Sequence, residues 1–71
     1  MTFNQVRPAI INLCQVGGIS PARLSELSEC DLDRARAIIS REIMSMQPGT
    51  LTLSEPNAVA KALEIVYSVN D

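Results

Sequence analysis

Seventy-one residues make one domain near the lower limit at which a hydrophobic core alone supports a fold, burying roughly 60% of the extended-chain surface. A net charge of −2 and a pI near 4.9 lack the basic footprint of a strong nucleic-acid binder, and the absence of histidine removes the commonest general base. Two aromatic residues, Phe3 and Tyr67, are too few for a base-stacking platform.

The elements follow in order. Thr2-x-x-Gln5 has the form of a capping box, and behind it Phe3, Val6, Ile10, Leu13 and Cys14 recur at helical spacing, predicting a first helix over 3–16. Pro8 lies a turn and a half inside and removes one backbone bond, so a kink is expected and the helix proper is placed nearer Pro8. Gly17-Gly18 supplies the left-handed residue that ends it.

Ser20-Pro21 is an N-cap followed by proline at the first helical position, with Ile19 spaced to staple onto Leu24. A short second helix over 21–28 then buries Leu24 and Leu27. Asp31 caps a third helix whose core stripe is Leu32, Ala35, Ile39, Ile43 and Met46, ended by Pro48-Gly49. Thr50-Leu51-Thr52-Leu53 alternates polar and apolar residues and suits one short half-buried strand. Ser54-Glu55-Pro56 opens a fourth helix running to about residue 69, with Leu53 placed as a staple onto Ala58.

On a helical wheel the fourth helix has one narrow polar stripe, Asn57, Lys61, Glu64 and Ser68. Its apolar arc is roughly twice the 100° that one core contact needs. Two explanations stand. The helix is buried in the middle of its own domain, or residues 54–70 form a dimerisation helix through Val59, Ala62, Leu63, Val66 and Tyr67, making the protein a homodimer.

Chemistry is not expected. No serine, cysteine or lysine lies in a nucleophile motif, and the cluster Glu26, Glu29, Asp31 and Asp33 reads as helix capping and a solvated turn. Cys14 and Cys30 have no CxxC spacing and no histidine to complete a metal site, so they read as reduced structural thiols. The sequence therefore predicts no enzyme, no cofactor, no metal and no small-molecule substrate. With neither an export leader nor an apolar run of about 18 residues, it also predicts a cytoplasmic chain without membrane association.

The order helix, short helix, tight turn, longer helix and strand resembles the winged helix-turn-helix domains of small bacterial and phage regulators. The resemblance covers roughly residues 3 to 53 and is most specific over Ile19 to Leu27 and Leu32 to Ile43. A small second-helix residue that packs on the third would be Ser25, and apolar residues expected on the third helix match Ala35 and Ile38. The chain departs from the pattern at Glu29, where a left-handed glycine is usual, and in having one wing strand.

The resemblance implies a mostly α domain of about four helices. Its third helix would be the recognition helix, with Asp33, Arg34, Arg36, Ala37, Ser40, Arg41 and Met44 outward. Double-stranded DNA would be read by Arg23, Arg34, Arg36, Ser40 and Arg41 in a dimeric transcriptional regulator. The charge balance points elsewhere: from Ser20 to Gln47 four basic residues face five acidic ones, a net of −1, and the acids gather where the recognition helix would enter the groove. The alternative is a protein-binding inhibitor, anti-repressor or adaptor that uses the same helical fold without touching DNA.

Overall fold

The computed structural model describes residues 2–45 and 54–69, and in them four helices: α1 (Phe3–Val16), α2 (Pro21–Leu27), α3 (Leu32–Ser45) and α4 (Ser54–Ser68). Local chemistry sets the boundaries. The Thr2 hydroxyl accepts from the Gln5 backbone N–H while the Gln5 side chain accepts from Thr2 N–H at 2.9 Å, a complete capping box. Pro8 is carried inside α1, which runs unbroken from Phe3 rather than starting near the proline. Pro8 and Asn4 are both exposed, so water can serve the Asn4 carbonyl that the missing N–H leaves without a donor.

A Schellman motif ends α1. Ile19 N–H reaches the Cys14 carbonyl at 3.0 Å, Gly18 N–H reaches Gln15 at 3.1 Å, and Gly18 adopts φ 90°, a conformation that favours glycine. The apolar contact that accompanies such a motif comes from Ile19 and Cys14, both buried. Ser20 then accepts from Arg23 N–H to open α2, and Asp31 Oδ1 accepts from Arg34 N–H at 2.9 Å to open α3. In the turn between them Glu29 has no positive φ, so nothing there requires the usual glycine.

Each helix packs on its neighbour in chain order, and α4 closes the ring by packing on α1 as well as on α3. The core is drawn from all four: Phe3, Val6, Ile10 and Cys14 from α1, Leu27 from α2, Ala35, Ile38 and Ile39 from α3, and Val59, Ala62 and Val66 from α4. Helix α4 thus spends its wide apolar arc on two partners within the same chain. Val59, Ala62 and Val66, expected on a self-association face, are core residues with 0% exposure. Leu63 is half-buried against that core, and of the five expected residues Tyr67 alone is exposed.

One packing expectation is corrected. Ser25, expected to pack on α3, is exposed, and Leu27 is the α2 residue seated in the core. The expected strand over 50–53 lies outside the described residues, as do Met46, Pro48-Gly49 and Leu53; among the described residues there is no strand. No helix among the described residues is long and apolar enough to cross a membrane.

Candidate interaction surface on helices 2 and 3

Six basic side chains are available to this chain, and the functional question turns on where each spends its charge. Two are used to hold helices in place. The Arg36 guanidinium leaves the start of α3 and donates from Nε to the Val66 carbonyl and from Nη2 to the Val69 carbonyl, both at 2.8 Å. It also lies 5.1 Å from the centre of the Tyr67 ring. Val66 is in the last turn of α4 and Val69 just follows it, at the end where the helix dipole is negative and the last turn has no basic residue. Arg36 therefore acts as a clasp between α3 and α4, and its donors are not turned toward solvent as a recognition helix would require.

Arg7 does the same for α2. Its Nη1 donates to the Leu27 carbonyl at 2.7 Å, its Nη2 to Asn4 Oδ1 at 3.0 Å, and its guanidinium lies 4.3 Å from the Phe3 ring centre. The last turn of α2 also lacks a basic residue. Both clasps join an arginine, an aromatic ring on one side and the carbonyl end of another helix. Sequence patterns did not single out Arg7, because its partner is twenty residues away.

A second pair of arginines is held at the surface. The Glu26 carboxylate accepts from Arg23 Nη1 at 3.0 Å through Oε1 and from Arg34 Nε at 2.7 Å through Oε2, so one acid bridges α2 and α3. The hydrogen bond from Arg34 is the main reason the Glu26 carboxyl sits below the usual carboxylate range, and the same bond raises the Arg34 guanidinium. This network is exposed, so solvent and salt weaken it.

Arg41 lies seven residues along α3 from Arg34. With Arg23, Arg34, Ala37, Ile38 and Glu42 it lines a shallow recess of about 60 Å³. Arg41 has no ion pair among the described residues. The acids of the turn, Glu29, Asp31 and Asp33, are exposed at the other end of α3, and Asp33 is 92% accessible. Asp33 and Arg36 approach at 3.8 Å.

The five residues expected to face DNA thus divide. Arg23, Arg34 and Arg41 are brought together on one edge of α2 and α3. Arg36 is turned to α4, and Ser40 is half-buried with its hydroxyl 3.4 Å from that of Tyr67. Met44, expected to face outward, is 84% exposed.

The thiols lie apart from this surface. Burial, helped by the nearby Glu42 charge, pushes the Cys14 thiol up to about 11, and burial also raises Cys30. Both are free, and no group of three or more His, Cys, Asp or Glu among the described residues is placed to hold a metal ion. Comparison of the chain with protein-family models, with curated proteins and with solved structures finds no match.

Proposed function

We propose that this chain is a protein-binding module, an adaptor or inhibitor, whose contact surface is the outward face of α3 with the adjoining edge of α2. One observation carries the reading. Of the four arginines on α2 and α3, Arg36 is spent on the carbonyl end of α4 and Arg23 and Arg34 share the Glu26 carboxylate. Affinity for duplex DNA rests on lysines and arginines free to neutralise phosphates, and Asp33 and Asp31 stand where the phosphates would approach. An exposed face with Ala37 and Met44 beside charged side chains fits the mixed apolar and polar character of protein interfaces.

Binding to DNA as a helix-turn-helix regulator is the second reading. The succession α2, four-residue turn, α3 favours it, together with Arg41 on the open face. The two readings separate in one experiment. A photo-crosslinking side chain placed at Ala37 should capture a discrete protein in cell extract, while the same group at exposed Gln15 on α1 should not. Mixed-sequence duplex DNA should not retain either the unmodified chain or Asp33→Asn at about 50 mM salt. Retention that Asp33→Asn strengthens and added salt releases would replace the protein-binding reading with the DNA-binding one.

A further inference from the structure

The pairing of Glu26 with two arginines is more than a surface ion pair, because it displays the geometry of a ligand. Each oxygen of one carboxylate is taken by a different guanidinium, one from α2 and one from α3, at 3.0 and 2.7 Å. The third arginine of the same recess, Arg41, comes from the next two turns of α3 and has no acid on it among the described residues. Glu42 also lines the recess, so the local balance is three arginines against two carboxylates. We infer that this edge of α2 and α3 docks a short acidic segment of a partner protein, with Glu26 as the built-in carboxylate that the partner's aspartate or glutamate displaces from Arg23 and Arg34 while a second acid meets Arg41.

The proposal rests on the protein-binding reading above and adds the chemistry of the partner. Three points argue for an acidic peptide. The arginines already hold a carboxylate with charge-assisted hydrogen bonds, so both guanidiniums are placed to accept another once the Glu26 side chain swings away. The Arg–Glu network is exposed, where such a pair is weak enough to exchange. The exposed acids Glu29, Asp31 and Asp33 lie beyond the recess toward the start of α3. A long rigid polyanion tracking that helix end would meet them, whereas a short segment confined to the recess does not.

The test is fluorescence anisotropy with a labelled ten-residue peptide rich in glutamate and aspartate, against a matched peptide carrying glutamine and asparagine. The acidic peptide should bind and the neutral one should not. Glu26→Gln removes the internal competitor and should tighten binding by about two- to fivefold, the range of an exposed ion pair. Arg34→Ala and Arg41→Ala should each weaken it by a similar factor, and raising salt from about 50 to 500 mM should abolish it.

Equal binding of both peptides, or no effect of Glu26→Gln and Arg41→Ala on the acidic one, overturns the inference. A duplex oligonucleotide that competes on an equal charge basis also overturns it, in favour of nucleic acid. If the Ala37 crosslink to a protein forms but the acidic peptide fails to bind, the partner is not acidic and the protein-binding reading stands. Failure of both removes that reading as well.

Discussion

Two pairs of arginines in one small domain show how little the residue type says about its use. Arg7 and Arg36 each cross to another helix, lie against an aromatic ring and donate to carbonyls at a helix end. Arg23 and Arg34 meet a carboxylate at the surface. The first pair has neutral acceptors and limited solvent, with the Arg36 side chain 26% exposed against 51% for Arg34. What the contrast teaches is that the acceptor decides the role. A carbonyl at a helix terminus has no other intrahelical donor and keeps its arginine, whereas a solvated carboxylate can release one.

The strongest way to break the fold side of this comparison is to disturb the helix that Arg36 clasps. Val66→Asp places an unpaired charge at a position with no solvent access and should cost several kcal/mol, enough to unfold a domain of this size. Far-UV circular dichroism should report loss of helix at 25 °C. Because Val59, Ala62 and Val66 are already covered by α1 and α3, the unmodified chain should be a monomer by light scattering at high micromolar concentration. A stable dimer there would return α4 to the role of an interface helix.

Arg36→Ala sharpens the contrast directly. It removes two charge-assisted hydrogen bonds and the contact with Tyr67, and should cost about 2–3 kcal/mol in urea unfolding. Arg36→Lys should recover part of the loss, since an ammonium satisfies the dipole but cannot reach both carbonyls with a planar fork. Arg34→Ala, made on the same helix two residues away, should leave the unfolding midpoint within error. Equal effects of Arg34→Ala and Arg36→Ala would erase the distinction.

A smaller effect tests the interior near α1. The folded chain holds the Cys14 thiol at about 11, above its ordinary value of 9.0. The neutral form is favoured in the folded state, so the stability is complete below pH 9 and is lost as pH rises toward 11. Between pH 8 and 10.5 the protein should lose about 1–2 kcal/mol that Cys14→Ala does not lose, measured by urea midpoints at the two pH values. Parallel losses in both proteins would show that Cys14 is not the group responsible.

The parts of this structure that are local in the chain were legible in its sequence. Thr2 with Gln5, Ser20 with Pro21, Gly17-Gly18 and Asp31 each act within a few residues, and each marks a helix end where the spacing predicts one. The wide apolar arc of α4 was equally visible, but its cause was not. An arc of that width is what a helix needs between two partners in its own chain, or between one partner and a second copy, and sequence carries no count of neighbours. The same limit hid the clasps. A helical wheel puts Arg36 on the outer flank of α3 and says nothing of carbonyls thirty residues on. Of the surface residues, the seven-residue spacing of Arg34 and Arg41 could be read from the chain, while the bridge from Glu26 to Arg34 depends on how α2 lies against α3.

The claim that the arginines divide by acceptor can be read one side chain at a time from the exchange of guanidinium Nε protons with water in ¹⁵N-resolved NMR spectra. The Arg36 Nε–H, bound to the Val66 carbonyl, should exchange slowly, and its rate should not change in about 0.5 M salt or in Glu26→Gln. The Arg34 Nε–H should exchange faster than that of Arg36 and faster still under either change, approaching Arg41. An Arg36 proton that exchanges as fast as that of Arg41, or an Arg34 proton indifferent to both salt and the loss of the Glu26 charge, would contradict the account.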